Sequence, residues 1–237
     1  MGFDRVFNFL MDSDPVHSNT DSSWGKEVIV HDDSDEIWVC FLGWRTSIGV
    51  AKRFNLLPKK GRVIVYHEPN SLVADDPHLA SKRFFEIYRD AKQYIKSSVN
   101  VFSVSLGNAH GFYLASKHSS KVKKFISLLP GPELGRNIWK SCAAESVKQR
   151  AEALGFTQKS YDDIVKGFNA LNNYKELPDN SCFYFALYDS YIPSEDQVEL
   201  SDLLRKAGHE DIRFFRCGHI FGHIWFGLLN TFNRIPW

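Results

Sequence analysis

The chain has 237 residues, 43% of them hydrophobic and 14% aromatic, a globular composition with enough apolar material for one domain with a sizeable core. Its 29 basic and 28 acidic residues nearly cancel, so no field of one sign is available to recruit nucleic acid or an anionic membrane as principal partner. Four cysteines, Cys40, Cys142, Cys182 and Cys217, lack the paired spacing of a metal site and read as buried free thiols; no metal and no cofactor are expected.

The opening MGFDRVFNFLMDSD is too short and too interrupted by charge for a signal peptide, and no later apolar run is long enough to span a bilayer. A cytoplasmic protein is expected. Met1-Gly2 resembles a myristoylation start, but Val6 stands where that signal needs serine or threonine. Residues 12–25 read as a loop. Val28-Ile29-Val30 and Ile37 to Leu42 follow as short strands, turned by Asp32-Asp33-Ser34-Asp35 and expected to form a hairpin.

Beyond this the pattern alternates. Strands are predicted at 62–67, 100–105 and 123–129, with helices at 79–95 and 108–118; the first helix buries Phe84, Ile87, Tyr88, Ala91 and Ile95 at three-to-four spacing. Continuous apolar strands separated by helices indicate a parallel sheet covered on both faces. After Pro130-Gly131-Pro132 comes a long stretch without strand character, in which Ser160 reads as a cap before Tyr161, Ile164, Val165, Phe168 and Leu171. The sheet resumes at Cys182 to Leu187, a capping box is expected at Ser194 and Gln197, and a last strand at Ile212 to Arg216. The chain therefore reads as one α/β domain over 1–237, its core at about 27–133 and 181–237 and a helical lid at about 134–180.

The chemistry-bearing stretch is 101–115, VFSVSLGNAHGFYLA, where a strand meets a helix at Ser103-Val104-Ser105-Leu106-Gly107. A nucleophile at such a turn sits in a strained backbone and needs small neighbours two residues away; Gly107 meets that need, and Ser103 stands where a glycine is usual. Asp189 lies just past one later strand and His219 just past another, so Ser105, Asp189 and His219 reach one edge of a parallel sheet as nucleophile, acid and base. The oxyanion would be held by the backbone N–H of Leu106 and by that of Trp44 in the Leu42-Gly43-Trp44 turn. His223 is a rival base, and with His219 a conceivable metal pair lacking a third ligand. Glu133 is a rival acid, Ser103 a rival nucleophile, and His110 reads as a packed histidine. No Gly-x-Gly-x-x-Gly turn supports a dinucleotide module.

Leu42-Gly43-Trp44, Ser103-x-Ser105-x-Gly107, Asp189 with Pro193, and Gly218-His219 together resemble the α/β-hydrolases of the small, compact kind, over residues 28–232. The resemblance implies an eight-stranded, mostly parallel sheet and hydrolysis of an ester, thioester or amide. Ser103, and the lack of a histidine before Gly43, depart from the family pattern. Trp44, Trp139 and Phe168, with Ile138, Phe156, Tyr161, Leu171 and Tyr174, suggest an apolar acyl pocket. The leading expectation is a serine hydrolase of an ester or thioester with an apolar acyl group, acting on a small-molecule acyl substrate or on an acyl carrier or other thioester-bearing partner. An acyltransferase using the same intermediate and a non-catalytic ligand-binding protein of the same fold are the alternatives.

Overall fold

The computed structural model describes residues 24–44, 46–68, 76–141 and 144–237. Met1, Gly2, Val6, most of the 12–25 loop and Cys142 lie outside the described residues. Strands β1 (Gly25–Val30), β2 (Ile37–Trp44), β3 (Arg62–Glu68), β4 (Val99–Val104), β5 (Val122–Leu128), β6 (Ser181–Ala186) and β7 (Ile212–Phe215) form one sheet in the order β1-β3-β2-β4-β5-β6-β7. Only β1 runs antiparallel; every other pairing is parallel. The described residues thus hold seven strands beside the eight that the resemblance implies.

The expected hairpin of β1 with β2 does not form. β1 pairs with β3, Val28 opposite Ile64, while β2 lies between β3 and β4. The reason is in the two patterns. β1 alternates half-buried and exposed residues, as an edge strand does, whereas Trp38 to Leu42 are all buried and need a neighbour on each side and a layer on each face.

Along β2, Val39 and Phe41 point to one core layer and Trp38, Cys40 and Leu42 to the other. The second layer is covered by α1 (Ile48–Arg53), which the sequence reading missed, and by the C-terminal helix α8 (His219–Thr231), through Ile48, Ala51 and Phe226. The first is covered by α2 (Pro77–Ala91), which buries Ala80, Phe84, Ile87 and Ala91 and continues as a short 3-10 turn, by α3 (Asn108–Lys117), and by Leu200 and Leu204 of α7 (Ser194–Lys206).

Between β5 and β6 the described residues form α4 (Leu134–Lys140), α5 (Glu145–Ala153), α6 (Gln158–Val165) and 3-10 turns at Lys166–Phe168, Ala170–Asn172 and Tyr174–Glu176, a helical cap. Its Ile138, Val147, Tyr161, Val165 and Phe168 belong to the same core layer as Phe84 and Phe112. Two expected caps move. Thr157, not Ser160, caps α6: Ser160 N donates to Thr157 Oγ1 at 3.2 Å and Ser160 Oγ accepts from Thr157 N at 2.8 Å, so Ser160 is the third helical residue of a capping box. The box expected at Ser194 and Gln197 is absent, because the fully buried Gln197 side chain serves the end of β6, accepting from Ala186 N and donating to Ala186 O, both at 2.8 Å.

Candidate active site

Ser105 follows the last residue of β4 with φ 51°, a left-handed conformation that costs a residue with a Cβ of order 1–3 kcal/mol and persists only where the surroundings enforce it. Two contacts enforce it here. A Cβ at Gly107 would lie 2.4 Å from Phe41 O and 2.6 Å from Leu42 O, so only glycine lets the turn press against the end of β2. The Asn108 amide then ties the turn from inside: Nδ2 donates to Ser105 O at 2.9 Å and Leu128 O at 2.8 Å, and Oδ1 accepts from Ser103 Oγ and Ser127 Oγ, both at 2.6 Å. Ser103 is therefore a buried member of this network, its hydroxyl committed to Asn108. Sequence reading missed Asn108, whose partners come from two separate stretches of chain, the end of β4 and the end of β5.

The end of β2, where a turn was expected at Leu42-Gly43-Trp44, stays in the strand and meets the same serine. A Cβ at Gly43 would lie 3.0 Å from Ser105 Cβ and 3.2 Å from Val104 O, which sets the backbone leading into Trp44 beside the serine side chain. Trp44 closes β2 after a register shift, opposite Glu68, and lines a cavity with Ser105 and Leu106.

That cavity, about 690 Å³ including its solvent mouth, lies between the C-terminal ends of the strands and the helical cap. Its apolar wall comes from Trp44, Leu106, Ala109, Leu134, Ile138, Ala144, Phe168, Ala170 and Ile192, its polar wall from side-chain amides and hydroxyls, and none of the described lining residues is charged. Phe168 is at the wall, packed on Tyr113 at 4.5 Å and Phe84 at 5.1 Å between ring centroids. Trp139 is not among the lining residues: its indole N–H donates to Glu152 at 3.1 Å and its ring meets Tyr161 edge-on, inside the cap.

Asp189 sits in the turn after β6 and His219 opens α8, after β7. The parallel strands carry the two together, with Leu187 N donating to Phe215 O at 2.9 Å and Tyr188 N to Cys217 O at 3.1 Å. The His219 Nδ1–H donates to Asp189 Oδ2 at 2.6 Å; the Asp189 carboxylate is fully buried and accepts from Tyr191 N at 2.7 Å and Ile192 N at 3.1 Å through Oδ1. Three hydrogen bonds satisfy the carboxylate, and the one from Nδ1 leaves the His219 lone pair on Nε2. Tyr191 joins this pair to the cavity, lining it while its ring packs on His219 at 4.8 Å. Among the described residues no hydrogen bond connects Ser105 to His219.

The rival groups are placed elsewhere. Glu133 pairs with Arg136 of the cap at 3.8 Å, and burial lifts its carboxyl above the ordinary range against the pull of that arginine. His110 packs between Phe41 and Phe84, at 5.3 and 4.8 Å. Among the described residues no group of three or more His, Cys, Asp or Glu side chains could hold a metal ion, and Cys40, Cys182 and Cys217 are free.

No family model and no curated protein matches the chain. Solved structures do. An acetyl xylan esterase from Paenibacillus sp. R4 superposes with a TM-score of 0.60 at 13% identity, over 83% of this chain and 74% of its own. The acylaminoacyl peptidase of Pyrococcus horikoshii gives 0.57 at 12% over 84% of this chain, which spans only 36% of the peptidase. A monoacylglycerol lipase from Paleococcus ferrophilus gives 0.53 at 13%, over 89% and 99% of the two chains. With the mostly parallel sheet, its flanking helices and the serine turn after β4, these likenesses show that the chain has the α/β-hydrolase fold.

Proposed function

We propose that the protein is a serine hydrolase that cleaves an ester or thioester of an apolar acyl group through an acyl-enzyme on Ser105. The observation that carries the reading is the strained Ser105 in a cavity whose described lining residues are uncharged and whose wall, through Tyr191, also packs on the His219–Asp189 pair. The three matched proteins are by name an esterase, a peptidase and a lipase, which supports acyl transfer to water as the reaction class.

In this reading Ser105 Oγ attacks the acyl carbonyl carbon while His219 Nε2 takes the hydroxyl proton. Asp189 holds the imidazole in its Nδ1–H tautomer and stabilises the imidazolium without taking the proton itself. The carbonyl oxygen, now anionic, is held by the N–H groups of Leu106 and Trp44. Collapse breaks the bond to the alcohol or thiol, which leaves with the proton from His219; water then repeats the sequence and releases the carboxylic acid. The cavity supports a neutral, apolar acyl group, since an ionised one would find no counter-charge among the described lining residues. A thioester-bearing carrier is the macromolecular partner this reading admits, and the cytoplasm its setting.

Turnover of p-nitrophenyl acyl esters of increasing chain length tests the proposal. Ser105→Ala and His219→Ala should each lower kcat by at least about a thousandfold with the melting temperature nearly unchanged, and Asp189→Asn should cost on the order of a hundred- to ten-thousandfold. Full activity in Ser105→Ala would remove the serine from the mechanism.

A further inference from the structure

His223 lies one helical turn beyond His219 on α8 and is buried. Its Nδ1 is 2.9 Å from the His219 carbonyl oxygen. A carbonyl only accepts, so Nδ1 carries the proton and, in the neutral ring, Nε2 does not. The rings of His219 and His223 are 5.0 Å apart between centroids at 59°, and Tyr191 meets His219 at 4.8 Å and 33°. With Asp189 on Nδ1, the His219 imidazole is gripped by two rings and one carboxylate.

Resting on the hydrolase reading above, we propose that His223 is a positioning residue for that reaction: its ring, fixed by its own Nδ1–H on the His219 carbonyl, packs on the His219 imidazole and holds it in its working orientation. The groups acting on it are His219 on its own helix and Asp189 in the turn after β6. Burial pushes the His223 imidazole down to about 3 and the neighbouring His219 pushes the same way, while the bond to the His219 carbonyl and the charge of Asp189 oppose. The geometry gives this neutrality a purpose. His219 becomes cationic each time it takes a proton from the nucleophile, and a second cation stacked on it would oppose that step.

Two variants separate the contributions: His223→Phe keeps a ring and loses the donor, and His223→Gln keeps a donor and loses the ring. Each should lower kcat for p-nitrophenyl butyrate about ten- to a hundredfold with KM within about twofold, the size of effect expected when a reacting group is displaced by a fraction of an ångström to an ångström. Wild-type kcat/KM should fall on the acid side with the slope of a single proton, and the midpoint should move in His223→Phe. Independently of any variant's folding, ring-nitrogen NMR of the wild-type protein should show His223 as the neutral Nδ1–H tautomer from pH 5 to 9. Folded variants with wild-type kcat and an unmoved acid limb, or a His223 that titrates between pH 5 and 8, would overturn the proposal. A wild-type protein without Ser105-dependent turnover would overturn the hydrolase reading instead, so the two failures are told apart.

Discussion

Ser105 has its unusual φ of 51° because residues far apart in sequence leave it no alternative, and the replacement of the usual glycine by Ser103 shows how closely that environment is fitted. A Cβ on Gly111, in the first turns of α3, would lie 2.3 Å from Ser103 Oγ, so the serine is accommodated by a glycine eight residues later and its hydroxyl is absorbed by Asn108. Gly111→Ala should therefore destabilise the protein by about 1–3 kcal/mol. Adding Ser103→Gly should recover part of that loss, with a coupling of about 1 kcal/mol in urea unfolding; strict additivity of the two changes would break this account. The placement of Asp189 and His219 was legible in the sequence because each lies just past the end of a strand, β6 or β7, and topology alone brings such positions to one edge. Asn108 and Tyr191 were not. Asn108 is defined by Ser103, Ser127 and Leu128, and Tyr191 by the ring of His219 in a distant helix, and no local pattern records either set of partners.

Among the elements, the cap is tied together by buried polar groups. Asp162 of α6 accepts from Gly135 N at 2.7 Å and Arg136 N at 2.9 Å, closing the N-terminus of α4, and Arg136 in turn reaches Glu199 and the fully buried Asp196 of α7. Burial lifts the Asp162 carboxyl from 3.8 to about 6, partly countered by the bonds from Gly135 and Arg136. Because the folded value lies above the unfolded one, the folded protein holds more protons between those two values, and stability falls as pH rises through about 4 to 6. Asp162→Asn removes this linkage. Its unfolding free energy relative to wild type should therefore improve by about 2 kcal/mol between pH 4 and pH 7, measured by urea denaturation at each pH. A difference that stays constant across the window would contradict the assignment. Helices with a clear apolar stripe, such as α2, were readable from spacing. The six-residue α1 is too short to show a period, and the hairpin expectation failed because chain adjacency was weighed above the contrast between a half-exposed β1 and a wholly buried β2.

For the molecule as a whole, the sheet decides where chemistry is possible. β4, β6 and β7 run parallel, so the turns that follow them, carrying Ser105, Asp189 and His219, open on the same edge, and the insertion between β5 and β6 roofs that edge with a wall whose described residues are uncharged. The alternation of strands and helices made this architecture legible. The cavity's composition was less so: Phe168 reaches it, while Trp139, equally aromatic and in the same segment, turns into the cap against Tyr161. The central claim is that Ser105 is an activated nucleophile. Labelling the purified protein with a fluorophosphonate, followed by intact mass and peptide mapping, with Ser105→Ala and His219→Ala alongside, tests it most directly. A single adduct on Ser105 in the wild-type protein, absent from Ser105→Ala and strongly slowed in His219→Ala, is the predicted result. An unlabelled wild-type protein that is folded, or an adduct on another residue, would contradict it.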